Sequence, residues 1–293
     1  MAVTVLASVR SCGTTTSAVA LAATWPAARR VLVVELDPAG GTLGAALRWP
    51  AEPSLVSLGA AARHRSDPEM IWAHCQSLPG GASVLAAPGS GAQVRSAAAT
   101  LAGLLARLGE LDADVLIDAG RLGPGSSPPL FAPAGPASAS RVVWTSRARL
   151  ADLNALAGVL EHSSDAGGVL VAGQLGLVVV GDGPYPDTEI AEALGVAVLG
   201  RLPWEPGAAE LLGVVPASDR RLRLSPLVRS ARSLAETLAP EPAPVPAAVA
   251  AAAPNVAARL RVRLGHPVRA PATAPPGDYV ATNGSLPGGG TPR

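Results

Sequence analysis

The chain has 293 residues, 48% of them hydrophobic, which is enough apolar surface for one large or two small buried cores and excludes a disordered protein. Its formal net charge is +1, so no long-range field draws the whole molecule to nucleic acid or to an anionic membrane, and any such binding has to be local. All 23 basic residues are arginine, which excludes every lysine-based mechanism, and Cys12 and Cys75 lie too far apart in sequence to outline a disulfide framework or a thiolate zinc site.

The first apolar segment has no basic leader before it, and no apolar run is long enough to span a bilayer, so a soluble chain in a reducing cytoplasm is expected. From there to about residue 238, short β-branched runs alternate with alanine- and leucine-rich segments of helical spacing. The strands are predicted at residues 3–7, 31–36, 83–86, 115–117, 141–145, 175–180 and 196–199, and helices at 14–24, 93–108, 150–162, 187–194 and 227–238. That alternation predicts an α/β fold, a doubly wound and mostly parallel sheet covered by helices, as one domain over residues 1–238.

From residue 239 to 293 the composition shifts to proline, alanine and glycine, with 11 of the 29 prolines in the last 54 residues, and a disordered tail is expected because so little apolar surface cannot offset its ordering entropy. Within it, residues 256–264 interleave Arg259, Arg261 and Arg263 with Leu260, Val262 and Leu264. As a helix this stretch would align Val256, Leu260 and Leu264 into a short basic amphipathic element able to touch a membrane, a partner groove or DNA; a solvated tail is the other reading.

The motifs that carry chemistry also follow chain order. Ser8-Val9-Arg10-Ser11-Cys12-Gly13-Thr14-Thr15-Thr16 joins the first strand to the first helix, where backbone N–H groups and the helix dipole converge on a phosphate, although such turns are common whether or not they bind anything. Val33-Val34-Glu35-Leu36-Asp37-Pro38-Ala39-Gly40-Gly41 and Asp114-Val115-Leu116-Ile117-Asp118-Ala119-Gly120 each end an apolar run in a carboxylate. Glu189-Ile190-Ala191-Glu192-Ala193-Leu194-Gly195-Val196 leads to Gly200-Arg201-Leu202-Pro203-Trp204, and then to Ser225-Pro226-Leu227. Together, over residues 1–238, this order resembles the MinD/ParA family of P-loop ATPases, the deviant Walker A class.

That family's loop reads K-G-G-V-G-K-T-T, and here Val9 and Thr14 stand at the two lysine positions, Arg10 and Ser11 at the first two glycines, and Gly13, Thr15 and Thr16 match. The resemblance implies that Ser11, Cys12, Gly13, Thr14, Thr15 and Thr16 would cradle phosphate and that Pro203 would lie near the base. It also implies that Thr15 and Asp118 would hold magnesium, Asp118 through water, and that Asp37 would orient an attacking water. The residues themselves admit structural readings: Thr15 as an ordinary first-turn residue, and Asp37 and Asp118 as strand ends capping the turns that follow. Gly181 falls where many relatives carry an adenine-reading asparagine, and Arg10 is either a substitute phosphate cation or a solvated surface arginine. Trp204 is expected to pack over the sheet edge, and His64, His74, His162 and His266 show no metal-ligand spacing.

Without its lysines the loop is expected to bind magnesium-ATP weakly or not at all and to be no efficient ATPase. The resemblance implies a protein platform for partners in chromosome partitioning, septum placement or the positioning of pilus and secretion machinery, where CpaE/TadZ-like members have atypical loops. A homodimer is compatible with it, as is a cytoplasmic protein lying peripherally at the inner membrane face. Two alternatives remain open at this stage: an ATPase with ATP-switched dimerisation that uses a substitute arginine, and a DNA- or membrane-surface-binding module acting through the basic tail.

Overall fold

The structure, a computed structural model, describes residues 2–63, 67–122, 141–165 and 174–239, with the side chains of 162–165 and 174 left aside. The tail beyond 239, its 256–264 element, His64 and His266 therefore lie outside the described residues. Eight strands form one sheet in the order β3-β4-β2-β5-β1-β6-β7-β8, numbered along the chain as Val3–Ser8, Val31–Glu35, Gln76–Ser77, Ser83–Leu85, Asp114–Arg121, Arg141–Ser146, Gln174–Val180 and Ala197–Leu202. All pairings are parallel except β3 with β4, an antiparallel pair at the sheet's edge. The central strands β1 and β2 are buried along their whole length, as near-continuous apolar runs must be when helices cover both faces of a parallel sheet.

The helices are α1 (Thr14–Ala23), α2 (Leu43–Ala46), α3 (Leu55–Ala62), α4 (Gly91–Thr100), α5 (Ala102–Leu105), α6 (Leu150–Asp165), α7 (Asp187–Leu194), α8 (Pro206–Leu212) and α9 (Pro226–Leu238). One core layer holds Leu55, Leu58, Val94, Leu104, Leu153, Leu156 and Ile190 against Val5, Val34 and Ile117; the other holds Ala18, Leu21, Leu212, Val228, Ala231 and Leu234 against Leu6, Val33 and Leu116. Alternate strand residues thus feed opposite layers. Helix α9 is amphipathic, burying Leu227, Val228, Ala231, Leu234, Ala235 and Leu238, and its N-cap Ser225 accepts from Val228 N at 3.2 Å while donating to Glu205 Oε2 at 2.7 Å.

The predicted helix at 93–108 is instead two helices and a 3₁₀ turn at Leu108–Glu110. Thr100 Oγ1 donates back to Ser96 O at 3.0 Å, a bond that bends helices, and Gly103 follows at once. No helix among the described residues is long and apolar enough to cross a membrane.

Between β1 and its two neighbours the chain direction of the winding reverses: β2 and β5 lie to one side, β6, β7 and β8 to the other. Ligands of open α/β sheets bind in the crevice that this reversal opens at the C-terminal strand ends. The β1–α1 turn, the ends of β2 and β5, and the residues after β6 and β8 all converge there.

Candidate functional site

The β1–α1 turn ends at Gly13, which sits in the left-handed region at φ 85 as the N-cap of α1, with no side chain capping the helix and no acidic residue in its first turn. The free N–H groups of that turn make it an anion-seeking end. Ser11 and Thr16 are exposed, Thr15 is half-buried and Cys12 is buried; burial pushes the Cys12 thiol up, against a hydrogen bond with the Arg147 backbone and the positive charges of Arg147 and Arg10.

Thr14 takes no part in that open surface. It is buried, and its hydroxyl meets Thr145 Oγ1 on β6 at 2.8 Å; Thr145 in turn donates to Ala7 O at 3.3 Å, which leaves Thr14 as donor to Thr145. The residue at the second lysine position is thus tied to the sheet beneath the turn. Arg10 has a side chain 57% exposed and lies 3.6 Å from Asp152 of α6, an ion pair of the solvated kind.

Beside the turn lies an acidic floor. Asp118 on β5 is fully buried, pairs in register with Glu35 of β2, and accepts from Gly120 N at 3.0 Å. Its carboxyl is pushed up to about 7, first by burial and then by Glu35 and Asp37; the Thr15 hydroxyl works the other way, yet no donor reaches Oδ2 in hydrogen-bond geometry. Thr15 and Asp118 are therefore neighbours, as the resemblance implies.

Asp37 accepts from Ala39 N at 2.8 Å, and its carbonyl from Gly40 N at 2.9 Å, so it shapes its own turn as an Asx residue does. Its carboxylate packs on Gly120, which holds φ 59 and has no room for a Cβ, so the end of β5 can approach only as glycine. Among the described residues no group of three His, Cys, Asp or Glu side chains could hold a metal by itself; His74 Nδ1 meets Ser57 Oγ at 2.7 Å instead.

Two participants, Glu35 and Arg147, were not singled out in the sequence reading. Glu35, buried in an apolar strand, accepts from Thr42 N at 2.6 Å, Leu43 N at 3.1 Å and Ala87 N at 2.9 Å, and so ties the 37–42 turn to the end of β4; burial pushes its carboxyl up. A lone acid inside Val31–Glu35 was the available signal. Arg147, just past β6, lays its guanidinium 4.2 Å from the ring centroid of Trp204, and its Nε is buried without a partner. Trp204, 56% exposed, reaches over the turn: a Cβ on Gly13 would stand 3.8 Å from its ring, and one on Gly181, at φ 73, would stand 3.3 Å from its Cβ. Pro203 and Trp204, with Gly13, Thr16, Ser17, Leu202 and Glu205, line a cleft of about 230 Å³.

A larger cleft of about 640 Å³ lies at the opposite, N-terminal edge of the sheet, among Trp25, Arg30, Trp72 and Arg232. None of its lining residues belongs to the β1–α1 turn, though Trp25 bonds Asp114 at the start of β5.

The architecture is similar in fold to solved structures of ParA and MinD family ATPases. It matches the ParA family ATPase from Chlorobium tepidum TLS with a TM-score of 0.65 at 14% identity, over 80% of this chain and 98% of that one. It matches the septum site-determining protein MinD complexed with Mg-ADP from Pyrococcus horikoshii OT3 with a TM-score of 0.59 at 18% identity, over 80% and 95%. The MinC:MinD cell division protein complex of Aquifex aeolicus gives a TM-score of 0.59 at 12% identity, over 84% and 98%. Neither a family model nor a curated relative matches the sequence. At these identities what is shared is the fold: an eight-stranded, mostly parallel sheet with flanking helices, of the P-loop NTPase type.

Proposed function

We infer that this chain is a ParA/MinD-like protein that keeps the family's fold and has retired its ATPase chemistry, serving as a platform for protein partners in partitioning, septum placement or machinery positioning. The observation that carries the reading is the bond between Thr14 and Thr145: where the resemblance expects a lysine on the phosphates, a short hydroxyl is engaged with β6. Val9 packs partly against the core, Arg10 leans to Asp152, and the cleft beside Pro203, where a base would be read, is lined by Trp204 and meets no side-chain amide at Gly181.

The residues fit a magnesium nucleotide poorly. By the resemblance Thr15 and Asp118, which lie together, would hold magnesium, which would supply positive charge to phosphate, and Asp37 would orient a water. Against that, the turn has no lysine for a triphosphate, and its one cation, Arg10, leans to Asp152. Neighbours in fold bind Mg-ADP or assemble with MinC, which supports a protein partner for this chain without naming it. A working ATPase relying on Arg10 is disfavoured by the Asp152 pair, and a tail-borne DNA or membrane site rests on residues 256–264, outside the described residues.

A further consequence concerns self-association. Because the family's first lysine, matched here by Val9, reaches across a nucleotide-sandwiched dimer, ATP with magnesium should leave the molecular mass unchanged by light scattering. An ATP-dependent step from monomer to dimer would overturn the platform reading.

A further inference from the structure

We propose that Arg147 is the cation of the β1–α1 turn: its guanidinium, parked on Trp204, is the group that meets a phosphate-class anion bound at the N-terminus of α1. The inference rests on the reading above, in that the turn keeps its anion-seeking geometry while losing its lysines.

Four observations converge on Arg147. It follows β6 directly, and β6 is the neighbour of β1, so its backbone stands beside the turn and engages the Cys12 thiol. Its guanidinium is 4.2 Å from the Trp204 centroid, and that same ring lies 3.8 Å from the position a Cβ would take on Gly13. The cation is thus held within one indole's width of the uncapped end of a ten-residue helix. Finally, its Nε is buried and has no acceptor, although a guanidinium carries five donors and an unmet buried donor is costly. An anion in the turn would supply that acceptor.

Arg10, the arginine that sequence position would nominate, is excluded by its ion pair with Asp152 and its exposure. Arginine suits the task because its planar fork can stack on an indole and pair with phosphate oxygens at once. Trp204 then reports the event, since drawing the guanidinium toward an anion changes the surroundings of a half-exposed indole. The base of a nucleotide adds little, because Gly181 offers it no side-chain amide.

The test uses the full chain, with inorganic diphosphate and ATP as probes, followed by tryptophan fluorescence and calorimetry without magnesium. The expected result is saturable binding of diphosphate, with ATP bound no more than about tenfold more tightly, and a fluorescence change absent from Trp204→Phe. Arg147→Ala should weaken diphosphate at least tenfold, Arg147→Lys should retain part of the affinity, and Arg10→Ala should bind as the parent does. Thermal unfolding of each variant identifies any loss due to misfolding, and Arg147→Lys, which keeps the charge, then carries the comparison. Arg147→Ala binding like the parent, Arg10→Ala losing the affinity, or no saturable binding by the parent would each overturn the inference. Those failures leave the platform reading standing; magnesium-dependent ATP turnover would overturn that reading instead.

Discussion

Asp118→Asn should abolish most of a fall in stability that the parent protein shows as pH rises from about 4 to 7. The folded carboxyl is pushed up to about 7 from an ordinary value of 3.8, so between those limits the folded state keeps a proton that the unfolded chain releases. Below 3.8 both states are protonated, so its contribution is fully present and does not vary with pH. As pH climbs, the folded state loses ground until its own carboxyl ionises near 7, a total of roughly 4 kcal/mol at about 1.4 kcal/mol per unit. Glu35, also raised by burial, acts with the same sign. Asparagine keeps the oxygen that accepts from Gly120 N and removes the titration. Urea midpoints measured in chelated buffer from pH 4 to 8 should therefore fall clearly less steeply for the variant, in which Glu35 still titrates, than for the parent. Parallel slopes would mean that Asp118 ionises in the folded state like a solvated acid.

Arg29→Ala should destabilise the fold by about 3 kcal/mol, the low end expected for breaking a buried ion pair, since the arginine is 35% exposed while Asp114 is 1% exposed. Asp114 opens β5 and gathers Ala2 N at 3.1 Å, Trp25 Nε1 at 3.0 Å and Arg29 through Nε and through Nη2, the latter at 2.6 Å. These bonds fasten the start of β1 and the α1–β2 connection to the central strand. Burial pushes the Asp114 carboxyl up, but Arg29, Trp25 and Ala2 together hold it below the usual range. A lowered folded pKa contributes stability that is present above the unfolded value and lost as pH falls through the folded one. The variant should therefore unfold at a less acidic pH than the parent. Replacing Asp114 by Asn in the Arg29→Ala background should restore part of the loss, because no charge is then left buried; a double variant no better than the single would show that packing, not charge, is at stake.

The strong periodic segments were legible without a structure. Helix α7 at Asp187–Leu194 is found where predicted, and the strands β1, β2, β4, β6 and β7 differ from expectation by a residue or so, because apolar runs bounded by turn residues leave few alternatives. The three-residue reading at 115–117 grew into Asp114–Arg121, whose polar ends hid a central strand, and β8 extends to Leu202 for the same reason. Gln76–Ser77 is too short for any period to appear, and α8 begins at Pro206, which starts a helix only when its missing N–H is an orphan anyway.

In the site, motif order named Thr15, Asp118 and Pro203, and the structure sets Thr15 beside Asp118 and Pro203 in a cleft with Gly13. What escaped were pairings between distant segments: Thr14 with Thr145 and Arg147 with Trp204 join residues that no spacing rule relates, since they depend on β6 lying beside β1 and on β8 standing on the same side of it in the sheet order. Of the two readings of Arg10, phosphate cation or solvated surface arginine, the structure shows the exposed side chain of the second, leaning to Asp152.

Calorimetric titration of magnesium-ATP into the full chain, with phosphate release followed in parallel, bears most directly on the retirement of the ATPase. The account predicts weak or no binding and no turnover above background for the parent protein. It further predicts that a Thr14→Lys, Arg10→Gly, Ser11→Gly variant gains binding, because the fold is intact and the deficiency lies in the turn. Micromolar binding by the parent, with turnover lost in Asp37→Ala, would contradict it and establish an unusual ATPase in place of a platform.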